Sequence, residues 1–290
     1  MNRDELKVLM RNAGIRPRRS SGQNFLVEED LAKAIARAGE VEPGDVVLEV
    51  GTGFGMLTKH LCEVAGHVVS VEKDRKLHAV ATELLSEFEN LTIHAGDVLK
   101  TKNALAPDLI EVLRERLGPQ GRLRVVANLP YNIATSLVIL LLSVELPVDA
   151  IVVMVQLEAA ERFAARRGAE GFGAVSLLCE ALCERIELVR TVPPDVFMPR
   201  PKVTSAVVRL IPRADRHEGY RDLSRVIRGM FNYRRKTVPK AAKLAAKADS
   251  TLAWLPDAVA ALGPDPAARP EDLTLVDFRR LVPPVESDGS

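Results

Sequence analysis

The chain has 290 residues, of which 47% are hydrophobic and 27% charged, enough for one large domain or for one large and one small domain. Its 40 Lys and Arg residues nearly balance 39 Asp and Glu residues, so net charge does not argue for a nucleic-acid partner. No apolar run approaches the roughly 20 residues of a membrane-spanning helix, and the charged N-terminus lacks the apolar segment of a secretory signal. We therefore expect a cytoplasmic monomer with no membrane association.

Strand-like and helical segments alternate through the first part of the chain. The predicted strands are short apolar runs at 46–50, 67–71, 91–94, 124–127 and 150–155. The predicted helices lie at 56–64, 74–88 and 105–117, and an earlier helical face includes Leu26, Leu31, Ile35 and Ala38. Strands that alternate with helices of this length indicate βαβ units and a parallel sheet.

The pattern changes after residue 180. Cys179 and Cys183 have the i,i+4 spacing of a buried helix face, with metal binding as the lesser alternative. Segments 185–192 and 205–211 are strand-like and flank a proline-rich loop, which suggests an antiparallel hairpin at the sheet edge. Beyond Pro212 the chain is helical, basic at first and then rich in Ala and Pro. We place a domain boundary there, with 1–212 as the larger domain and 213–290 as a small helical domain.

A glycine-rich loop, running from Gly51 to Gly55 with GxGxG spacing, follows the first predicted strand. Alone this is a weak signal, because a tight turn without a ligand has the same pattern. Glu72 ends the second strand, where a carboxylate can accept hydrogen bonds from both ribose hydroxyls. Asp97 follows the third strand, where an acid could contact an adenine amino group. All three features fall at the C-terminal ends of parallel strands, which is where such sheets bind ligands.

Two nucleotide-like ligands are compatible with these positions. NAD is possible, but its binders use GxGxxG spacing, and the chain shows no hydride-transfer constellation. S-adenosylmethionine carries a positive sulfonium and has no phosphate to neutralise, and the acidic Glu49 beside the loop suits such a cation. Its methyl is bound to a positive sulfur, so the protein's task is mostly orientation, and no metal is needed.

The segment Asn128-Leu129-Pro130-Tyr131 ends the fourth predicted strand. An exocyclic adenine amine is a poor nucleophile, because its lone pair is delocalised into the ring. The side-chain oxygen of Asn128 and the backbone carbonyl of Leu129 could accept the two amine N–H bonds and aim the lone pair at a methyl group. Pro130 stiffens the turn, and Tyr131 offers an aromatic face on which an extruded base can stack. A plain strand-ending turn with a buried Tyr is the alternative for this segment alone.

With these residues the chain resembles the rRNA adenine N6,N6-dimethyltransferases of the KsgA/RsmA family over most of its length. The matching segments, in order, are Gly22-Gln23-Asn24-Phe25-Leu26, the Glu49–Gly55 loop, Glu72, Gly96-Asp97, NLPYNIATSL, MVQLEAAERF at 154–163, FMPRPKVTSAVVRL at 197–210, Phe231, Arg234-Arg235-Lys236-Thr237 and Arg269-Pro270-Glu271-Asp272-Leu273. The first, the NLPY and the FMPRPKV segments are highly specific in combination. The related macrolide-resistance methylases, which act on large-subunit rRNA, more often have Ile at the position of Leu129.

The resemblance implies roles for individual residues. The donor pocket would be lined by Asn24, Leu26, Gly51, Glu72, Asp97 and Asn128. Phe197 would form a second aromatic wall for the flipped adenine, beside the catalytic segment of Asn128, Leu129, Pro130 and Tyr131; a buried core position is the alternative for Phe197. Three departures from the family pattern are Thr52 where proline is common, Tyr233 where Gln is usual, and Pro239 within a helical segment.

Basic residues cluster locally despite the balanced total. The clusters are Arg16, Arg18 and Arg19; Arg162, Arg166 and Arg167; and Arg234, Arg235, Lys236, Lys240, Lys243 and Lys247. Each cluster alone could be a solvated face, but together they favour contacts with RNA phosphates.

We predict a Rossmann-like S-adenosylmethionine-dependent methyltransferase with a mixed seven-stranded sheet and a small C-terminal helical domain. The expected product, as the resemblance implies, is N6,N6-dimethyladenosine at two adjacent adenosines near the 3′ end of small-subunit (16S) rRNA, within an immature ribosomal particle. One alternative is a large-subunit rRNA adenine methylase that confers resistance. Another is a non-catalytic ribosome-assembly factor on the same fold.

Overall fold

The computed structural model describes residues 3–17 and 23–283. Gly22 of the first matching motif, and Arg18 and Arg19 of the first basic cluster, lie outside the described residues. The chain divides into two compact units. One holds the described residues of Met1–Ala160 and Arg185–Pro212, and the other holds those of Glu161–Glu184 and Arg213–Ser290.

The helices and strands follow one another along the described residues, and each predicted strand has bounds within two residues of those observed. The strands are β1 (Phe25–Leu26), β2 (Val46–Val50), β3 (His67–Glu72), β4 (Leu91–Ala95), β5 (Leu99–Thr101), β6 (Ala104–Leu105), β7 (Leu123–Asn128), β8 (Val148–Gln156), β9 (Cys183–Val192), β10 (Phe197–Met198) and β11 (Ser205–Pro212). The helices are α1 (Arg3–Asn12), α2 (Glu29–Ala38), α3 (Thr58–Cys62), α4 (Arg75–Leu84), α5 (Pro107–Leu117), α6 (Ala134–Ser143), α7 (Leu157–Ala164), α8 (Ala174–Leu182), α9 (Tyr220–Phe231), α10 (Val238–Ala248), α11 (Leu255–Leu262) and α12 (Leu275–Arg280).

A mixed seven-stranded sheet forms the centre of the first unit, as predicted. Its strand order is β4-β3-β2-β7-β8-β11-β9. Five neighbouring strands of this sheet, β4, β3, β2, β7 and β8, are parallel. Strand β11 runs antiparallel to β8, with Val208 opposite Val153. The two late strands are neighbours at one end of the sheet, with β9 at its edge. The chain moves outward from β2 to β3 and β4 and then returns to β7, so the order reverses between β2 and β7, which is where such sheets bind ligands.

The central strands are apolar because both faces of the sheet are covered. All five residues of β2 are buried, and β8 is buried from Ala150 to Val155. Helix α2 packs an apolar face of Leu31, Ala32 and Ile35 into the core. Burial on both faces explains the unbroken apolar runs from which the strands were predicted.

Three local predictions were wrong. Cys183 does not share a helix face with Cys179, because α8 ends at Leu182 and Cys183 is the first residue of β9, although both cysteines are buried. Leu26 does not share the helical face of Leu31 and Ile35, because α2 begins at Glu29 and Leu26 belongs to β1, where it pairs with Phe197 of β10. The helix predicted at 74–88 is shorter, since α4 begins at Arg75 and ends at Leu84. Its start is set by Asp74, whose side chain accepts hydrogen bonds from the backbone N–H groups of Lys76 and Leu77.

The second unit is helical, and no strand lies in the described residues beyond Pro212. Phe231 of α9 stacks on Phe278 of α12, with ring centroids 6.0 Å apart, and makes an edge contact with Phe172 at 6.3 Å. A boundary at residue 212 assigns residues 161–184 to the first domain, but the structure groups them with the C-terminal helices. The reason is packing, since the apolar side chains of this segment, Phe172 among them, meet α9 and α12. None of the described helices is long and apolar enough to cross a membrane.

Candidate active site

A cavity of about 280 Å³ opens at the C-terminal ends of β2, β3 and β7. Its lining brings together every predicted donor-pocket residue, namely Asn24, Leu26, Gly51, Glu72, Asp97 and Asn128. The NLPY segment lines the same cavity through Asn128, Leu129, Pro130 and Tyr131. Residues from chain positions that are about a hundred residues apart therefore meet at one site, because parallel strands end at the same edge of the sheet.

The glycine loop brings backbone to the floor of the cavity. Gly51, Gly53 and Gly55 have φ angles of 90°, 56° and 78°, a region that side-chain-bearing residues rarely adopt. At Gly53 a Cβ atom would also lie 3.3 Å from the Phe25 ring, so any side chain there would push into the cavity wall. A Cβ atom at Gly51 would lie 3.8 Å from the backbone oxygen of Asn128, which places the NLPY segment directly beside the loop.

Glu72 fixes the loop to the end of β3. One carboxylate oxygen accepts a hydrogen bond from the Gly53 N–H at 2.9 Å, and the other accepts one from the Asp74 N–H at 2.8 Å. Burial raises the pKa of Glu72, and these two backbone donors oppose that rise. Each oxygen has a second lone pair, so the carboxylate can still accept hydrogen bonds from a diol.

Asp97 is paired with a lysine that the sequence did not point to. Lys73 Nζ lies 2.6 Å from Asp97 Oδ2, and the Leu99 N–H donates to Asp97 Oδ1 at 3.1 Å. Partial burial acts to raise the pKa of Asp97, but the Lys73 hydrogen bond, the Leu99 N–H and the Lys73 charge together lower it. Asp97 is therefore an ionised acceptor at the cavity edge.

The NLPY segment is anchored from both sides. Asn128 Nδ2 donates to the backbone oxygen of Asn24 at 3.2 Å, which leaves the side-chain oxygen as the end of the amide that can accept a hydrogen bond from a ligand. The Leu129 N–H donates to the Met154 oxygen at 3.1 Å, and the Leu129 side chain is 1% exposed. The two residues predicted to accept hydrogen bonds from the amine, Asn128 and Leu129, are therefore held in place by the backbone oxygens of Asn24 and Met154.

Tyr131 is half-buried beside these acceptors. Its hydroxyl lies 2.6 Å from the Oγ of Ser205, and Ser205 is the first residue of β11. Burial raises the pKa of Tyr131, and the hydrogen bond with Ser205 opposes the rise. The hydroxyl contact tethers the ring, which leaves its aromatic face as the part available to a base.

Phe197 is not among the residues that line the cavity, where the family resemblance implied an aromatic wall. Its side chain is 0% exposed and packs in the core with Leu26, Leu31 and Ile35. The physical reason is the pairing of β10 with β1, which aligns Phe197 with Leu26 and brings the proline-rich loop against the core. The structure thus favours the core position over an aromatic wall of the cavity.

Sequence reasoning missed several residues of the lining. Phe25 and Phe54 form an edge-to-face pair, with ring centroids 4.9 Å apart, and both line the cavity together with Lys73 and Val98. Phe25 lies inside the first matching motif and Val98 follows Asp97. Their positions next to predicted site residues could have indicated that they line the cavity. Nothing in the sequence distinguished Lys73 from other surface lysines.

Two arginines of the predicted basic clusters make contacts within the protein. Arg167 donates to the backbone oxygen of Asp272 at 2.8 Å, and Arg234 pairs with Glu271 at 2.9 Å. On α10, by contrast, Lys240, Lys243 and Lys247 are exposed, opposite its buried apolar face. The spacing of these lysines places them in one stripe along the helix.

The chemistry of the cavity fits a cationic nucleoside. Glu49, Glu72 and Asp97 line it, as does Lys73, which is already paired with Asp97. A lining with more acidic than basic side chains disfavours a pyrophosphate, whereas it suits ribose hydroxyls, an adenine amino group and a sulfonium. S-adenosylmethionine has these groups, and Glu72, Asp97 and the glycine loop are the residues that would hold it.

Proteins of a known family are similar to this chain over nearly its whole length. The family model described as ribosomal RNA adenine dimethylase matches residues 14–256. A curated relative from Pediococcus pentosaceus, named ribosomal RNA small subunit methyltransferase A, is 36% identical, with 99% of this chain and 96% of the relative covered.

Two solved structures share the fold. A dimethyladenosine transferase from Plasmodium falciparum has a TM-score of 0.69 at 24% identity, covering 89% of this chain and 95% of its own. The 23S rRNA methyltransferase ErmE has a TM-score of 0.61 at 24% identity, covering 89% of this chain and 98% of its own. Both structures support the fold but do not distinguish between families. The family model and the curated relative show that the chain belongs to the ribosomal RNA adenine dimethylase family.

Proposed function

We propose that this protein transfers methyl groups from S-adenosylmethionine to N6 of two adjacent adenosines near the 3′ end of small-subunit (16S) rRNA, giving N6,N6-dimethyladenosine during ribosome biogenesis. The substrate is rRNA in an immature ribosomal particle, and the enzyme acts as a monomer in the cytoplasm without a metal. The observation that carries this proposal is the position of the anchored Asn128-Leu129 acceptors directly beside the glycine loop.

S-adenosylmethionine supplies a methyl group that is already activated by a positive sulfur. The residues of the chain supply position. Glu72 accepts hydrogen bonds from the ribose, and Asp97 accepts one from the adenine amino group of the donor. The Asn128 side-chain oxygen and the Leu129 carbonyl accept the two N–H bonds of the target amine and so turn its lone pair toward the methyl group.

Tyr131 provides the stacking surface for the extruded adenine. The target amine loses its proton to solvent after attack, so no strong general base is required. The lysine stripe of α10 contacts rRNA phosphates, which makes binding weaken as salt concentration rises. The proposed methyltransferase domain is residues 1–212 without the segment 161–184, which belongs with the C-terminal helices.

Two other functions are compatible with the fold. A methylase of large-subunit rRNA shares the architecture, as the 23S rRNA methyltransferase neighbour illustrates. A non-catalytic assembly factor would keep the fold but has no need for the assembled donor and amine sites. The identity over nearly the whole length of the small-subunit relative favours the small-subunit substrate.

The test is to incubate the full chain with labelled methyl donor and either small subunits that lack the modification or purified large-subunit rRNA, and then to map the label. We expect dimethyladenosine at two adjacent positions of the small-subunit rRNA alone. Label only on large-subunit rRNA would support the resistance methylase. No transfer to either substrate would refute the enzymatic proposal and favour an assembly factor.

A further inference from the structure

A buried carboxylate lies beside the cavity and is held by hydroxyl groups. Glu49, in β2, is 1% exposed, and its Oε2 accepts hydrogen bonds from Ser70 Oγ at 2.6 Å and Thr58 Oγ1 at 2.7 Å. Thr52 Oγ1 lies 2.6 Å from Ser70 Oγ. These four side chains form one hydrogen-bonded chain that links the glycine loop, β3 and α3. Thr52, where proline is common in the family, closes it at the cavity end.

The environment of Glu49 favours its neutral form in the free protein. Burial raises the pKa of Glu49 to about 8, the Ser70 and Thr58 hydrogen bonds oppose the rise, and the charge of Glu72 adds to it. From α3 the titratable neighbour is Cys62, whose thiol has its pKa raised by burial to about 12 and stays neutral. On the opposite side β7 ends in Asn128, which does not titrate. Glu49 is thus mostly protonated at neutral pH, and a nearby cation would ionise it.

The strand order puts Glu49 where the donor differs from its product. Strand β2 lies between β3, which ends in Glu72, and β7, which ends in Asn128. In the proposed function the ribose of the donor binds at Glu72 and the target amine binds at Asn128. The donor sulfur is bonded to the ribose and carries the methyl group that the amine attacks, so it lies between the two, over the end of β2. That sulfur is positive in the donor and neutral in the sulfide product.

We propose that Glu49 is a charge-selecting residue, which makes the cavity prefer the cationic methyl donor to its neutral sulfide product and which releases one proton to solvent when the donor binds. Ser70 and Thr58 are positioning residues that stabilise the ionised carboxylate, and Thr52 orients Ser70. The inference rests on the proposed function in one respect, since the donor has to occupy this cavity. Its consequence is that the product leaves without competing strongly with fresh donor.

Calorimetry of the full chain tests this proposal. Binding of S-adenosylmethionine and of S-adenosylhomocysteine is measured at pH 7 in buffers of different ionisation enthalpy, which gives the number of protons released. We expect about one proton for the donor and none for the product. Donor affinity should rise by up to about tenfold per pH unit below pH 8 and then level off, while product affinity stays flat.

Three variants separate a charge effect from a structural one. Glu49→Gln keeps the shape but should abolish both proton release and the pH dependence of donor affinity. Ser70→Ala removes a donor to the carboxylate, so the pH at which donor affinity levels off should move upward, a shift that loss of packing does not produce. Glu83→Gln, at an exposed position of α4, is the matched control and should behave as wild type. Thermal unfolding checks that each variant is folded.

Wild-type donor binding without proton release would overturn the proposal. So would release that persists in Glu49→Gln, or equal release by the product. Failure of the proposed function has a different signature, because the donor would then bind with proton release while no methyl reached adenosine. Absence of donor binding to the wild type would overturn both.

Discussion

The two sides of the cavity differ in how they are held. On the proposed donor side, Gly51 and Asp97 lie just beyond the ends of parallel strands and Glu72 is the last residue of β3. Backbone hydrogen bonds join these strand ends, from the Gly51 N–H to the Val71 oxygen and from the Gly96 N–H to the Glu72 oxygen. On the base side, Asn128 also ends a strand, but Tyr131 is tethered through a hydroxyl contact to β11, and Phe197 lies in the core. Strand ends place a side chain by topology alone, whereas a loop residue is placed by whatever its loop packs against.

The difference matters for function because the donor is the same for many methyltransferases, while the base and its flanking RNA differ. If the donor side is built on strand ends and the base side on loops, the donor-binding residues can stay the same while the residues that contact the base vary.

The sharpest test concerns Phe197. If its role is the core packing seen in the structure, Phe197→Ala should lower the free energy of unfolding by about 3–5 kcal/mol, while Phe197→Leu should cost less than about 1.5 kcal/mol. Denaturant unfolding measures both, and methyl transfer by Phe197→Leu should stay within a few-fold of wild type. A stable Phe197→Leu variant that has lost transfer would instead show that the ring leaves the core to stack on the base, and the contrast between the two sides would fail.

Asn128→Ala should separate base positioning from donor binding. Without the side-chain acceptor the amine is no longer aimed, so transfer should fall by about 10²–10³-fold, a loss comparable to that of one preorganised transition-state contact. Donor binding, measured by calorimetry, should remain detectable because Glu72 and Asp97 are intact. Asn132→Ala, at an exposed position in the same turn, serves as control. Unchanged turnover in Asn128→Ala would refute the role given to this residue.

Glu72→Gln should affect the donor side alone. It keeps an acceptor for the Gly53 N–H but replaces the second oxygen, which accepts from Asp74, with an amide donor, and it removes the charge. Hydrogen bonds to charged groups contribute about 1.5–3 kcal/mol, so the donor Kd should rise roughly 10- to 100-fold. The rate at saturating donor should change much less. A large fall in that rate with unchanged donor Kd would mean that the two sides are not separable.

Tyr131→Phe is expected to have the smallest effect. The change removes the hydroxyl contact with Ser205 but keeps the aromatic face, so stability should fall by about 1 kcal/mol and transfer only a few-fold. Single-turnover rates and thermal unfolding measure these quantities. Tyr131→Leu is the companion variant and should lose far more activity than Tyr131→Phe. Equal activity of the two variants would argue against base stacking.

The sequence predicted which residues meet at the C-terminal edge of the sheet, and it did so for a physical reason. Strands buried on both faces read as apolar runs, and the residues at their C-terminal ends must meet. It placed Leu26 in a helix, because a two-residue strand pair such as β1 and β10 has no periodicity to detect. The family resemblance, not periodicity, implied that Phe197 lies at the cavity wall. Sequence reasoning also missed the pairing of Lys73 with Asp97, which depends on two strand ends that are 24 residues apart in the chain. Contacts of this kind are decided by tertiary packing.

The grouping of residues 161–184 with the C-terminal helices has a consequence for how the chain can be cut. The polypeptide passes from one unit to the other after Ala160, after Glu184 and after Pro212, so no single cleavage yields two complete units. A protein truncated at residue 212 would keep α8 while losing α9 and α12, its partners, and would expose apolar side chains such as Leu177 and Phe172. Exchange of the helical unit between relatives would therefore have to move two separate segments, 161–184 and 213–290, together. The two segments are expected to evolve as one piece.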